Sequence, residues 1–315
     1  SIFSTISFDA CRKELEEDYS ADFSYELPGK ARFRVNAFRQ RGHLALVFRH
    51  IPVNIPSFEE LNLPPVVEDI AKEERGLVLV VGVTGSGKST TLAAMLDYIN
   101  QRHGRRIITI EDPIEYIHRS KKSIISQREL GQDARSFASA LRSVLRQDPD
   151  VILVGELRDL KTIRTAIRAS ETGHLVFSTL HTSDTVQTLD RMIGYFPAEE
   201  RDLARQQIAL NLKAVIAQRL IVRTDGNGRV PALEILRNNS LAQKMLMTNK
   251  LKELYQVIKN QQDGMRTFDQ SLLELVKTEL ITEEESMRYA LNPAALKRMI
   301  SGGYSDSDRG GIIGF

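Results

Sequence analysis

Residues 82–89 read Gly-Val-Thr-Gly-Ser-Gly-Lys-Ser, and they lie between a continuous apolar run at 77–81 and a stretch in which Leu92, Met95, Leu96 and Ile99 recur at helical spacing. A buried strand that turns through such a loop straight into a helix belongs to an α/β sheet. Gly82, Gly85 and Gly87 permit backbone angles and close approaches that a Cβ would block, so consecutive N–H groups and the helix N-terminus can face phosphate oxygens. The expected nucleotide contacts are Thr84, Gly85, Ser86, Gly87, Lys88, Ser89 and Thr90. Lys88 is placed to reach the β- and γ-phosphates, and Ser89 to offer its hydroxyl to Mg2+. The loop alone specifies a nucleoside triphosphate, ATP or GTP, with magnesium.

Apolar strands continue to alternate with helical patterns beyond the loop, at 107–110, 151–154 and 175–179. That alternation predicts a doubly wound, mostly parallel α/β sheet over residues 66–230. Ser136 is positioned to cap a helix carrying Phe137, Ala140, Leu141, Val144 and Leu145 on one face, so the expected order between the second and third strands is strand, helix, strand. Upstream, 32–36 and 45–48 read as two short strands around a Gln40-Arg41-Gly42 turn, within a smaller N-terminal domain. Pro52, Pro56, Pro64 and Pro65 make the end of the 1–65 segment an extended linker. Residues 231–300 read as a helical C-terminal subdomain with capping boxes at Thr267–Gln270 and Thr282–Glu285, and 301–315 as a glycine-rich flexible tail.

Ligands of such sheets bind at the carboxyl ends of the strands, and three further motifs fall there. Glu111, Asp112 and Glu115 follow the second strand, three carboxylates of which one is needed to orient or deprotonate water; spacing does not choose among them. The third strand closes on Gly155-Glu156, which places Glu156 to hold Mg2+ directly or through water, while Asp159 can cap the next helix. His181 follows the fourth strand, where it can sense the γ-phosphate; no second His or Cys stands at zinc-ligand spacing.

Composition narrows the class. A net charge of +2 from 43 basic and 41 acidic residues does not suit nucleic acid as the main partner. The longest apolar runs fall well short of the ~20 residues a membrane span requires, and no leader pattern opens the chain at Ser1. Cys11 is the single cysteine, which fits a reducing compartment and excludes both an internal disulfide and a cysteine-rich zinc site.

The segments GVTGSGKST, IEDPIEY, VILVGELRD and GHLVFSTLHT, in that order, closely resemble the Walker A, Asp, Walker B and His boxes of the secretion ATPases. The similarity extends from RFRVNAFRQRG through GMRTFDQSL to ALNPAALKRMI and points to the PilT and PilU branch, the type IV pilus retraction ATPases. Assembly ATPases typically carry a four-cysteine zinc insertion that a single cysteine cannot supply. The resemblance implies that the 66–230 sheet is a RecA-like P-loop ATPase core, joined to a PAS-like α+β N-terminal domain that looks shortened here at its first strands. No AIRNLIRE-type segment is evident around 240–252. It further implies that Glu115 is the base positioning the lytic water, that Glu156 coordinates magnesium and that His181 contacts the γ-phosphate. Trans-acting arginine candidates are Arg34 and Arg49 in the N-terminal domain and Arg75 before the first core strand. The implied protein is a homo-hexameric, cytoplasmic ATPase, peripheral at the inner face of the cytoplasmic membrane through a platform protein, with a paralogous retraction ATPase as a further partner. An accessory factor or scaffold with little ATPase of its own, and a nucleic-acid translocase, are the alternatives.

Overall fold

The computed structural model describes residues 2–27, 30–51 and 54–302; Pro52 and the tail from 303 lie outside the described residues. Two helices, α1 (Ile2–Ile6) and α2 (Asp9–Asp18), cover one face of an antiparallel sheet formed by β1 (Ser20–Leu27), β2 (Ala31–Gln40) and β3 (His43–Ile51). Alternation places Ala21, Phe23, Val35 and Ala37 against Phe3, Cys11 and Leu15 in a small core of their own. The opposite face carries Ser24, Arg34 and Arg49, which are cross-strand neighbours in register, with Arg32 one pleat further along β2. The strands at 32–36 and 45–48 are therefore present and longer than expected, and β1 adds a third.

After the non-regular stretch at 54–64, the chain runs through α3 (Pro65–Ala71), β4 (Gly76–Val81), α4 (Lys88–Arg102), β5 (Arg106–Glu111), β6 (Ile124–Glu129), α5 (Phe137–Val144), β7 (Val151–Val154), α6 (Leu160–Glu171), β8 (Leu175–Leu180), α7 (Thr185–Gly194), α8 (Arg201–Asn211), β9 (Leu212–Val222) and β10 (Arg229–Arg237). The seven strands form one sheet in the order β10-β9-β4-β8-β7-β5-β6, parallel throughout except for antiparallel β10 at the edge. Leu77, Leu79 and Val81 point into one apolar layer, while Val78 and Val80 point into the other. Burial on both faces is why β4 is apolar at every position rather than at alternate ones.

Two features of the core sheet depart from the sequence-based expectation. Between β5 and α5 the chain forms β6, so the order there is strand, strand, helix, strand. The domain limit placed at 230/231 falls inside β10, because Pro231 occupies an edge strand, where a missing N–H is tolerated. The remaining helices are α9 (Ser240–Met247), α10 (Leu254–Lys259), α11 (Phe268–Lys277), α12 (Glu283–Tyr289) and α13 (Pro293–Ile300). Leu246, Leu254, Phe268, Leu272 and Leu296 join the same apolar layer as Leu77 and Val81, so these helices share a core with the sheet. Thr267 and Gln270 form a reciprocal capping box at the start of α11, whereas Thr282 caps α12 through the Glu285 N–H alone.

Candidate active site

The loop after β4 has the strand-to-helix geometry that its glycines allow. Gly87, the N-cap of α4, has φ +89°, and a Cβ there would stand 2.6 Å from Gln218 Nε2. Among the described residues no backbone carbonyl accepts from the N–H groups of Lys88, Ser89 or Thr90, the donors that a helix start leaves unpaired. Lys88 Nζ donates to the carbonyls of Gly82 (2.9 Å) and Val83 (3.1 Å), which folds the side chain across the loop. The Ser86 hydroxyl is buried beneath the loop against Gly82 and lacks a hydrogen-bond partner. Thr84 and Gly85 are exposed at the tip. Thr90 Oγ1 is 2.9 Å from the Tyr116 hydroxyl, so it ties the loop helix to the acidic segment after β5.

That acidic segment separates its carboxylates by environment. Glu111 Oε1 accepts from Thr109 Oγ1 at 2.6 Å and from Gln127 Nε2 at 3.1 Å, and burial pushes its carboxyl above the usual range. Asp112 pairs with Arg158 at 3.2 Å. Glu115 is exposed, and among the described residues its carboxylate accepts no hydrogen bond. Of the three, Glu115 alone is uncommitted. The segment is splinted by β6: Gln127 also donates to the Tyr116 carbonyl (2.8 Å) and accepts from the His118 N–H (2.8 Å), and Glu129 accepts from the Ile114 N–H (3.1 Å).

Glu156 follows β7 with a largely covered side chain. It accepts from Arg158 Nε at 2.6 Å, and its other oxygen lies 3.5 Å from His181 Nε2. Asp159 caps α6 through the Thr162 N–H at 2.9 Å, as expected for that aspartate. His181 is exposed just beyond β8. Burial lowers the Lys88 pKa, and the negative charges of Glu156 and Glu115 oppose that shift, so both carboxylates act on the loop lysine. Lys88, Glu115, Glu156 and His181 thus converge on one end of the sheet.

The arginines divide. Arg34 and Arg49 face each other across β2 and β3 on the sheet face from which Ser24 and Arg32 reach Glu129 of the same chain. Arg75 precedes β4 and lines a cleft with Glu73 and Lys213, roughly 20 Å along the strand from the loop. Within one chain it is not brought to the loop. Two functional neighbours escape sequence reasoning. Buried Gln218 on β9 accepts from Thr91 Oγ1 at 2.8 Å and backs the loop at Gly87, while buried Glu234 on β10 accepts from the N–H (2.9 Å) and hydroxyl (2.8 Å) of Thr185 and so holds the start of α7, just after His181. A polar residue in an otherwise apolar strand is their only local signal.

For magnesium the protein offers the Ser89 hydroxyl and the Glu156 carboxylate. Among the described residues no three His, Cys, Asp or Glu side chains gather as a ligand set. This donor set fits an ion held mostly by nucleotide phosphates and water.

The sequence model of the family described as "Type II/IV secretion system protein" matches residues 30–288. This chain belongs to that family. Among its relatives, a twitching motility protein of Neisseria gonorrhoeae is 50% identical over 297 residues, covering 94% of this chain and 79% of that protein. The type IV pilus retraction ATPase PilT of Pseudomonas aeruginosa is 49% identical, covering 90% of this chain and 83% of that one. A crystal structure of the pilus retraction motor PilT with bound ADP superposes with a TM-score of 0.88 at 46% identity, covering 94% of this chain and 84% of that one. The secretion-family fold expected from the four boxes is the fold observed.

Proposed function

We propose that this secretion-family chain is a Mg2+-dependent ATPase that works as a hexameric ring and drives retraction of a type IV pilus. The observation that carries the reading is the convergence of Lys88 with Glu115 and Glu156, in a chain half identical to a twitching motility protein across nearly its whole length. In this reading the free N–H groups at the start of α4 and Lys88 hold the phosphates of ATP. Ser89 and Glu156 would hold Mg2+, which when bound neutralises charge on the phosphoryl group being transferred. Glu115 orients the attacking water and takes up its proton, a role open to it because its carboxylate is uncommitted. His181 reads the γ-phosphate and reports to Glu156.

The N-terminal domain closes over bound ATP with Arg34 and Arg49, and reopens after hydrolysis and phosphate release. Sequential closure round the ring becomes work on an inner-membrane platform protein, with a paralogous ATPase as a further partner and contact with the membrane only through partners. Among the described residues no helix is long and apolar enough to cross a membrane. Arg75, remote from its own chain's loop, could serve only a neighbouring subunit. An arginine finger is worth roughly 10³ to 10⁵ in rate, so subunits carrying Arg34→Ala and Glu115→Gln, each inactive alone, regain activity on mixing if Arg34 acts across subunits. Deletion of the gene in its native host tests the function: long, non-retracting pili support it, and cells without pili overturn it in favour of assembly.

A further inference from the structure

Glu129, the last residue of β6, joins two parts of the molecule. Its side chain is 4% exposed, and both carboxylate oxygens are 2.7 Å from Ser24 Oγ on β1. Arg32 on β2 donates to it from Nη2 at 2.9 Å and is itself mostly covered. The same carboxylate accepts from the Ile114 N–H at 3.1 Å and from Gln132 Nε2 at 2.8 Å. A buried carboxylate is retained only where such donors surround it, and removing one leaves the rest of the set poorly compensated. Two of the four donors come from the N-terminal sheet, and one is the backbone N–H immediately before Glu115.

We propose that Glu129 is a positioning residue that couples the N-terminal sheet to the Glu115 segment, so that movement of Ser24 and Arg32 is felt at the Ile114 N–H. The reading rests on the proposed role of Glu115 only for its catalytic consequence. Ser24 shares its sheet face with Arg34 and Arg49. One rigid displacement of that sheet therefore moves the arginines and, through Glu129, the segment that bears Glu115. Gln127 grips the same segment from β6 and, among the described residues, makes no side-chain hydrogen bond to the N-terminal sheet, so its hold does not pass through Ser24 or Arg32.

The test is amide hydrogen exchange on the intact chain, with Arg32→Ala, Ser24→Ala and Glu129→Gln alongside the parent, combined with steady-state ATP hydrolysis. Each substitution is expected to speed exchange across 111–118 by roughly tenfold. Exchange in 77–81 is expected to change much less than exchange across 111–118, and the melting temperature to fall most in Arg32→Ala, which leaves the buried carboxylate without its cation. kcat is expected to fall about tenfold with KM for ATP within about threefold, and Arg32→Lys to recover part of the loss. If Arg32→Ala does not fold, Ser24→Ala, which removes one hydroxyl, carries the same measurement. Parent-like exchange across 111–118 in the N-terminal variants overturns the coupling, even if kcat falls. Faster exchange there, together with undiminished turnover in Glu115→Gln, upholds the coupling and removes Glu115 from the role of base.

Discussion

His181 Nε2 lies 3.5 Å from Glu156 Oε1, which joins the ends of β8 and β7 at the carboxylate proposed to hold Mg2+. Glu156→Gln keeps the shape and removes the charge, so the Mg2+ concentration giving half-maximal ATP hydrolysis should rise by about 10- to 100-fold. His181→Ala should lower kcat while leaving ATP affinity within a few-fold. A magnesium titration of ATPase activity checks both, and an unchanged midpoint in Glu156→Gln would remove it from the metal site.

Lys88 Nζ is held by the carbonyls of Gly82 and Val83, and in the proposed mode of binding it would give up these bonds for bonds to phosphate. Loss of a charged hydrogen-bond donor is worth about 1.5–3 kcal/mol. Lys88→Ala is expected to weaken ATP binding by about 10- to 100-fold in a fluorescence or calorimetric titration.

Two glycines of the loop make a contrast. A Cβ on Gly82 (φ +151°) would stand 2.4 Å from Ser86 Oγ and 2.5 Å from the Gln218 carbonyl oxygen, whereas a Cβ on Gly85 (φ +79°) would meet nothing within 4 Å. Gly85→Ala carries only the left-handed backbone cost of about 1–2 kcal/mol. Gly82→Ala must also push the loop off β9, and should lose about tenfold more nucleotide affinity than Gly85→Ala. Equal losses would show that the β9 backing does not shape the loop.

His118 gives the fold a pH dependence. Burial pushes its pKa from 6.5 down to about 4, with Asp97 opposing and Lys121 reinforcing the shift, and its Nδ1 is buried without a partner. The unfolded chain takes up a proton near the ordinary value and the folded chain does so only near the lower one. Stability is therefore complete above that ordinary value and falls as pH drops through the window between the two. Between pH 7 and pH 5 the loss is about 2 kcal/mol. Burial raises the carboxyls of Glu111 and Glu234, which act in the opposite direction, so the comparison is between variants: in denaturant titrations the change from pH 7 to pH 5 should be less favourable in the parent than in His118→Asn by about this amount.

The parts of the site that the sequence made legible are those where strand, loop and helix are contiguous: β4 with the phosphate loop, β7 with Glu156, β8 with His181. Each combines an apolar run with a chemical group at its end, and both signals are local. β6 was not legible, because Gln127, Arg128 and Glu129 make it polar for a strand. That polarity serves the acidic segment and the N-terminal sheet, and the Ser24–Glu129 contact spans 105 positions in sequence. Pro231 was misleading for a related reason, since its tolerance depends on β10 being an edge, which only the assembled sheet decides. The choice of Glu115 over Glu111 came from family resemblance rather than spacing. The structure adds a physical distinction, in that Thr109 and Gln127 occupy Glu111 and leave Glu115 uncommitted.

The most direct measurement of the central claim is ATP affinity and single-turnover hydrolysis for the parent and Glu115→Gln side by side. Removing a base that positions the attacking water should slow hydrolysis by at least about a hundredfold, while ATP binds within a few-fold of the parent affinity. Hydrolysis at the parent rate in Glu115→Gln would contradict the claim.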